Sequence, residues 1–207
     1  MKKLKVVAVI LAMSLAAVSA FSCSDKTTGN SNPNADISYI DPNQPVQEEP
    51  TKYSGGANKT NSDFGQEIEV NSTAFTLNSA VKVHDDQTGN DYMYINVTIK
   101  NKTDIEYEIS SLNNFFVALD DSKEISSDVR TKIYALRNFP KCNDDYITIP
   151  ANGEFTGFLA GGFIIPEGTD SFTVGFFPTL DNETNKSEVI LAPVSAENIS
   201  TDDSVLK

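Results

Sequence analysis

The 207-residue sequence contains no tryptophan, one histidine, two arginines and two cysteines. Two cysteines exclude a miniprotein held together by several disulfides, and they exclude a zinc site with four cysteine ligands. A single histidine excludes metal sites built from several histidines. The formal net charge is −13, from 16 basic and 29 acidic residues, and no basic run lies beyond the first five residues. Because binding to a polyanion requires clustered lysine and arginine, the composition argues against a nucleic-acid partner.

The N-terminal residues are typical of an export signal. Three lysines within the first five residues precede a run of mostly apolar residues from Val6 to Ala20. This run is shorter than the roughly 20 residues that a membrane-spanning helix needs, and no second run approaches that length. A basic start, a short apolar stretch and small residues after it predict a secretory signal. We therefore expect the rest of the chain to lie outside the cytoplasm.

Cys23 follows the apolar stretch in the run Ser-Ala-Phe-Ser-Cys-Ser. This run resembles a bacterial lipoprotein signal, with Ala20 and Phe21 at positions where leucine and a small residue are usual. The resemblance implies that residues 1–22 are removed and that Cys23 receives a diacylglyceryl group. Two acyl chains suffice for stable anchoring, so this outcome places the protein on the outer face of a bacterial membrane. The alternative is ordinary cleavage after Ala20, which gives a secreted protein in which Cys23 can pair with Cys142.

The composition changes along the chain and predicts its domain boundaries. Asn, Ser, Thr, Asp, Pro and Gly dominate residues 23–62, which also hold four of the nine prolines. Such a stretch buries too little apolar area to offset the entropy lost on ordering. We therefore predict a disordered tether over 23–62, a folded domain over 63–200 and a polar tail over 201–207.

Apolar residues alternate with period two in the predicted domain, a pattern typical of strands with one buried face. Odd positions are apolar at Phe75, Leu77, Val81 and Val83, and again from Met93 to Ile99. Many short strands separated by turn residues predict an all-β fold, an antiparallel β-sandwich. Residues 136–145 are predicted to form a loop or a short helical turn. The further predicted strands are 66–70, 105–109, 115–120, 129–134, 146–149, 154–165, 172–177 and 188–191.

Three stretches carry a family resemblance. Residues 94–104 end a strand in Asn-Lys-Thr, residues 114–123 contain F-x-x-L-D with Lys123 where glycine is usual, and residues 149–167 run from Ile-Pro through Gly-Phe-Leu to Ile-Pro. Their order and spacing resemble the telokin-like, immunoglobulin-like domains of unknown function in Gram-positive lipoproteins, which are similar to secreted immunogenic antigens of mycobacteria. The resemblance implies an immunoglobulin-like β-sandwich outside the cytoplasm and no catalytic site.

Residues for nucleophilic catalysis are scarce. The histidine, His84, stands beside Asp85 and Asp86 in a predicted hairpin loop, and the chain has no G-x-S-x-G motif. We expect an exposed loop histidine, with a Cys142–His84 dyad as the alternative. The acidic residues around Cys142 are expected to raise the pKa of its thiol. The sequence therefore predicts no catalytic residue and no enzymatic activity.

One loop is a candidate cation site. Asp85, Asp86 and Asp91 bring three carboxylates into a short oxygen-rich segment, and calcium prefers several oxygen ligands. The segment lacks the D-x-[DN]-x-[DN]-G spacing of a common calcium loop. Solvated turn residues are the alternative interpretation, and no other cofactor is expected.

Two tyrosines are a candidate contact surface. Tyr92 and Tyr94 lie opposite the apolar positions of their strand, and tyrosine is enriched where proteins bind one another. An exposed pair would contact a partner, whereas the alternative is a pair buried beneath a neighbouring sheet edge or loop.

These patterns together predict a lipid-anchored, non-catalytic binding module with a membrane-attached N-terminus and no nucleic-acid partner. Its expected partner is an unidentified envelope protein or wall component. The alternatives are an accessory or assembly subunit of an envelope complex and a small wall hydrolase that uses carboxylates.

Overall fold

A computed structural model describes residues 53–120, 123–178 and 186–207. The predicted signal peptide, Cys23 and most of the predicted tether lie outside these residues. Within them, no helix combines the length and apolar character needed to cross a membrane.

Strands dominate the described part of the chain, in agreement with the predicted all-β fold. One α-helix, α1 (Val129–Asn138), and two short 3-10 helices (Ala196–Asn198 and Asp203–Leu206) accompany them. The strands are β1 (Asn58–Asn61), β2 (Ile68–Val70), β3 (Thr73–Asp85), β4 (Asn90–Asn101), β5 (Tyr107–Ser110), β6 (Phe115–Ala118), β7 (Glu124–Ser126), β8 (Cys142–Asn143), β9 (Tyr146–Ile149), β10 (Glu154–Leu159), β11 (Phe163–Ile165), β12 (Phe172–Phe176), β13 (Glu188–Val194) and β14 (Ile199–Ser200).

Two large sheets form a β-sandwich. Sheet 1 has the strand order β14-β3-β4-β10-β8, with β2 paired to β3 and β11 paired to β4. Sheet 2 has the order β1-β13-β12-β6-β7, and β5 and β9 form a separate two-stranded sheet. Most pairings are antiparallel, as predicted, but β1–β13, β10–β8 and β14–β3 are parallel. The sheets of the described chain are therefore mixed.

The main core lies between the two sheets. Alternate residues of β3 and β4 in sheet 1 face alternate residues of β6, β12 and β13 in sheet 2. At its centre, the Phe176 ring stacks on Phe75 and Phe115, with centroid distances of 4.8 and 4.9 Å. Phe172 also belongs to this core. Burial of these rings provides much of the hydrophobic driving force for closing the sandwich.

A β-bulge in β3 changes which residues face the core. The register with β4 shifts between Leu77 and Ser79, so that Leu77 pairs with Val97 and Ser79 pairs with Asn96. The odd positions Phe75 and Leu77 therefore point into the main core, whereas Val81 and Val83 point to the opposite face of sheet 1. The sequence pattern predicts one continuous face, and the extra residue of the bulge explains the change.

Two predicted strands have a different structure. Residues 129–134 form the first part of α1 instead of a strand. Residues 154–165 form β10 and β11, which both pair with β4 and are separated by residues 160–162. The residues of α1 that are buried against the sheet, Thr131 and Ala135, are four positions apart, which is the spacing of one helix face and not of a strand.

The folded domain extends beyond its predicted boundaries at both ends. β1 lies inside the predicted tether and pairs in parallel with β13, while Tyr53 and Ala57 pack against the outer face of sheet 2. In the predicted polar tail, Leu206 is fully buried in a cluster beneath α1. These few apolar residues near the two ends of the described chain are fully or partly buried because residues distant in the sequence pack against them.

Candidate functional site

Helix α1 forms one wall of the candidate site, and its first turn is held by Asp128. The Asp128 carboxylate accepts a hydrogen bond from the Arg130 backbone N–H at 2.7 Å and thus caps the helix. The same carboxylate accepts two hydrogen bonds from the Arg130 guanidinium, from Nε at 2.9 Å and from Nη2 at 2.6 Å. This ion pair lowers the pKa of Asp128 and raises the pKa of Arg130.

Buried hydrogen bonds fix α1 on sheet 1. The Gly162 N–H donates to Thr131 Oγ1 at 2.8 Å, and the Tyr94 hydroxyl donates to the Thr131 carbonyl at 2.9 Å. A Cβ atom at Gly162 would lie 2.6 Å from the Met93 carbonyl oxygen, so glycine permits this close approach. Thr131 is fully buried. The helix is therefore held in one position by polar groups as well as by packing.

The second wall is the turn between β3 and β4. Asp85 is buried there, and its carboxylate accepts hydrogen bonds from the Gln87 N–H at 3.0 Å, Thr88 Oγ1 at 2.7 Å and the Tyr92 hydroxyl at 2.9 Å. The hydrogen bond from Thr88 is the main cause of a lowered pKa for Asp85. Gly89 completes the turn with a φ of +70°, a conformation that favours glycine.

Between the two walls lies a cavity of about 490 Å³, which we call the helix cleft. The Tyr134 ring packs edge-on against Tyr92, with a centroid distance of 5.2 Å. Burial, followed by the nearby Asp85 charge, raises the pKa of Tyr134. The residues that line the helix cleft are Asp85, Asp86, Gln87, Thr88, Tyr92, Arg130, Ile133, Tyr134, Arg137 and Asn138.

The two walls of the helix cleft carry opposite charge. Arg130 and Arg137 are the only arginines of the sequence, and both lie on the α1 wall. Asp85 and Asp86 lie on the hairpin wall, where the Asp86 side chain is 99% exposed. An arginine guanidinium offers several N–H donors in a planar array suited to carboxylates. The α1 wall can therefore bind an anionic group although the chain as a whole is acidic.

Of the two interpretations of Tyr92 and Tyr94, an exposed contact pair and a buried pair, the structure shows the buried one. Both residues point to the outer face of sheet 1, as expected from their parity, but α1 covers them and leaves Tyr92 3% and Tyr94 0% exposed. Burial raises the pKa of Tyr94. Tyr92 still lines the helix cleft, whereas the Tyr94 hydroxyl holds α1 through the Thr131 carbonyl.

The three carboxylates of the predicted calcium site do not converge. Asp85 is engaged by donors of its own turn, and Asp86 points into solvent. Asp91 instead lies beside two basic side chains, with Oδ1 2.8 Å from His84 Nδ1 and Oδ2 3.9 Å from Lys82 Nζ. In the described ranges, no group of three or more His, Cys, Asp or Glu side chains is placed to hold a metal. Asp91 pairs with His84 across the two strands, whereas Asp85 pairs with Asn90, so Asp85 and Asp91 lie on opposite faces of the hairpin.

His84 and Cys142 occupy different environments. His84 lies at the surface beside Asp91, which raises the pKa of the imidazole. Cys142 is buried beneath α1, where loss of solvation raises the pKa of its thiol to about 12. The predicted direction for the Cys142 pKa is correct, but burial rather than acidic neighbours is the cause. The predicted lipidation site, Cys23, lies outside the described residues.

A second concavity, the sheet groove, lies on the outer face of sheet 2 and has a volume of about 660 Å³. Lys59 and Glu124 both line it. The buried Glu124 carboxylate accepts hydrogen bonds from the Ser54 N–H at 2.8 Å and from the Ser54 hydroxyl. Because these bonds tie residues near the start of the described chain to β7, Glu124 has a clear structural role.

The sequence patterns described above do not identify the α1 wall. Residues 129–138 were predicted in part as a strand, and Arg130, Tyr134 and Arg137 were not candidates. Two sequence signals favour a helix here. Asp128 precedes the segment as a capping residue, and the apolar residues Val129, Ile133 and Leu136 repeat at helical spacing.

A family model described as "Domain of unknown function (DUF4352)" matches residues 58–186, from β1 to just before β13. A comparison with curated proteins found no match.

Several solved structures are similar to parts of the chain. The yjhA protein from Bacillus subtilis is 16% identical with a TM-score of 0.47, over 67% of this chain and 99% of that chain. A Bacillus subtilis protein titled "putative lipoprotein (ycdA)" is 14% identical with a TM-score of 0.43, over 63% of this chain and 38% of that chain. An "uncharacterized beta-sandwich protein" from Clostridium difficile 630 is 18% identical with a TM-score of 0.37, over 70% of this chain and 99% of that chain.

Proposed function

Since the chain belongs to the DUF4352 family, which is defined by a domain of unknown function, we propose that it is a lipid-anchored, extracytoplasmic binding module without catalytic activity. In this proposal, the immunoglobulin-like sandwich is a rigid support, and Cys23 attaches it to the outer face of the membrane. The helix cleft provides the contact surface for a partner in the envelope.

The helix cleft is the observation that carries this proposal. It places both arginines of an acidic chain on one wall, next to the apolar side chain of Ile133 and the ring of Tyr134. Concave sites that combine apolar walls with a few polar groups are typical of binding surfaces. The buried hydrogen bonds of Thr131 and Asp85 hold the two walls in place before any ligand arrives, which reduces the entropic cost of binding.

Support for the anchor comes from the N-terminal sequence. The basic start, the short apolar run and Cys23 three residues after its end have the order of a lipoprotein signal. A diacylglyceryl group would hold the protein at the membrane even though its net charge is negative, because two acyl chains contribute roughly 0.8 kcal/mol per buried methylene.

The mass of the intact protein, purified from its native membrane fraction with and without reductant, tests the anchor. We expect the mass of the chain from Cys23 plus its acyl groups, unchanged by reductant. A Cys23→Ser variant is the control, and it should move to the soluble fraction. A mass that corresponds to the chain from Phe21, two hydrogens lighter until reduced, would instead show a secreted protein with a Cys23–Cys142 disulfide.

The absence of catalysis is tested separately, by incubating the purified protein with isolated cell wall. We expect no soluble glycan or peptide fragments above those released by buffer. Release of such fragments, together with its loss in a single carboxylate variant such as Asp86→Asn, would identify the chain as a wall hydrolase.

A further inference from the structure

Helix α1 presents an apolar stripe to solvent. Val129, Ile133 and Leu136 are 55%, 46% and 46% exposed. Their spacing of four and three residues places them on one face of the helix, opposite the buried residues Thr131 and Ala135. We call these three residues the helix stripe. Six large hydrophobic side chains are highly exposed in the described residues, and three of them form the helix stripe. Exposed apolar area is therefore concentrated on this one helix.

Basic residues flank the helix stripe. Helical spacing of 100° per residue puts Arg130 and Arg137 along the side that borders the helix cleft and Lys132 along the other side. Lys132 pairs with Asp144 at 2.9 Å, and Arg130 pairs with Asp128. Within the described part of the chain, none of the ion pairs includes Arg137. Its charge is therefore available to a ligand.

We propose that the helix stripe and the α1 wall of the helix cleft together bind a segment of a partner protein in which an acidic side chain lies beside branched or aromatic apolar side chains. This inference rests on the proposed function and specifies the partner. The acidic side chain enters the helix cleft and pairs with Arg137, while the apolar side chains cover Ile133 and Leu136.

The shape and the charge of this region favour a protein segment over a lipid surface. The helix cleft is a cavity beside the stripe, and a protruding side chain can enter it, whereas a flat bilayer would reach only the stripe. The formal charge of −13 repels anionic surfaces from the molecule as a whole. An acidic protein repels a surface of many anionic headgroups more strongly than it repels a single acidic residue. Pairing with Arg137 can therefore more easily outweigh the repulsion of a peptide segment than that of an anionic bilayer.

Asp86 sets the orientation of the bound segment. Its exposed carboxylate lies on the wall opposite Arg137, so it repels an acidic side chain that approaches the hairpin. The acidic residue of the partner is thereby directed toward α1. Removing the charge of Asp86 should strengthen binding of an acidic segment, an effect that a purely structural role of Asp86 would not produce.

The test uses a random library of 12-residue peptides displayed on phage, selected on the full chain as purified from the membrane fraction. We expect the enriched peptides to contain Asp or Glu within two positions of Leu, Ile or Phe. Their synthetic forms are then titrated by fluorescence anisotropy against variants. Arg137→Glu and Ile133→Ser should each weaken binding about tenfold or more, Asp86→Asn should strengthen it about two- to fivefold, and a peptide with Lys in place of its acidic residue should regain affinity for Arg137→Glu.

Lys59→Glu is the matched control, because it makes the same change of charge in the sheet groove and should leave peptide binding unchanged. Circular dichroism melts verify that each variant is folded. The proposal is overturned if no peptide is enriched, or if enriched peptides bind Arg137→Glu and Ile133→Ser as tightly as the original chain. Loss of peptide binding in Lys59→Glu alone would show that the peptides bind in the sheet groove and not at α1.

A bilayer is the remaining occupant, and vesicles of phosphatidylglycerol and phosphatidylethanolamine test it. Sedimentation of a Cys23→Ser chain with these vesicles, dependent on Arg137 and unaffected by the enriched peptides, would contradict the protein-segment proposal. Failure of either binding test leaves the mass measurement of the anchor intact, so failure of this inference is distinguishable from failure of the proposed function.

Discussion

Replacing Thr131 with valine tests whether buried hydrogen bonds hold the helix that forms the candidate site. Valine has nearly the shape of threonine, but it lacks the hydroxyl that accepts from the Gly162 N–H at 2.8 Å and donates to the Asp128 carbonyl at 2.6 Å. The Asp128 carbonyl retains the N–H of Thr131 at 3.1 Å as a donor. The buried Gly162 N–H would lose its acceptor.

The expected cost follows from these contacts. An unsatisfied buried N–H costs about 1–3 kcal/mol, and the added methyl of valine offsets up to about 0.8 kcal/mol. With the full offset, we therefore expect Thr131→Val to lower the free energy of unfolding by about 0.2–2.2 kcal/mol, and to lower Tm by up to about 9 °C for a domain of this size. Urea denaturation followed by circular dichroism measures the first quantity, and a thermal melt measures the second.

Hydrogen exchange at Gly162 identifies the cause. Its amide should exchange faster in Thr131→Val than in the original chain, because the hydrogen bond that protects it is gone. Thr148→Val is the control, since Thr148 is exposed on β9 and should change stability by less than about 0.5 kcal/mol. Equal stability of Thr131→Val and the original chain, with unchanged exchange at Gly162, would refute the assignment of α1 docking to this hydrogen bond.

Three further predictions concern the packing of sheet 2, the buried thiol and the surface histidine. A Cβ at Gly175 would lie 2.1 Å from the Phe116 ring, so Gly175→Ala should lower the free energy of unfolding, measured by urea denaturation, by about 1–3 kcal/mol. The same substitution should have almost no effect in a chain that already carries Phe116→Ala. Cys142, 8% exposed and with its pKa raised to about 12 by burial, should react with a thiol reagent at pH 8 only when the chain is unfolded in urea. The hydrogen bond with Asp91 should place the His84 pKa above its ordinary value of 6.5 in an NMR titration. Because the folded-state pKa is the higher one, this pair stabilises the fold below pH 6.5 and loses its effect as the pH rises through the folded-state pKa.

Each of these has its own control. Additive effects of Gly175→Ala and Phe116→Ala would show that the close approach is relieved elsewhere. The thiol experiment uses Cys23→Ser so that one cysteine remains, and fast labelling of this folded variant would contradict the burial of Cys142. Asp91→Asn should return the histidine titration toward its ordinary value, and an unchanged titration would exclude this pair as the cause.

The strands of the sandwich were largely predictable, because period-two burial is a local property of a strand. The predicted segments 115–120, 146–149 and 172–177 coincide closely with β6, β9 and β12. The bulge after Leu77 was not predictable from the alternation of apolar and polar residues. The apolar residues stay at odd positions before and after the bulge, so the pattern shows no interruption there. Both faces of sheet 1 are buried there, so the pattern alone does not distinguish the face that meets sheet 2 from the face that meets α1.

The candidate site was predictable only on its hairpin wall. Asp85 and Asp86 were recognised as turn residues, but the Asp85 carboxylate accepts hydrogen bonds from its own turn, whereas Asp91 lies beside His84. The α1 wall was missed because Val129 and Ile133 fit a short strand as well as a helix. A helix over 129–138 becomes predictable only when Leu136, three positions after Ile133, and the capping residue Asp128 are also considered.

By itself, the sequence determined the class of fold, the acidic character of the molecule and the presence of an apolar-rich segment that forms the domain. These features depend on composition and on patterns that span a few residues, so they can be read without knowledge of distant contacts. The tertiary structure alone decided that Tyr92 and Tyr94 are buried and that Arg137 faces the hairpin. These outcomes depend on which element covers the outer face of sheet 1, and that element lies some 40 residues further along the chain. Its position is determined by packing and by the hydrogen bonds of Thr131, which no local pattern encodes.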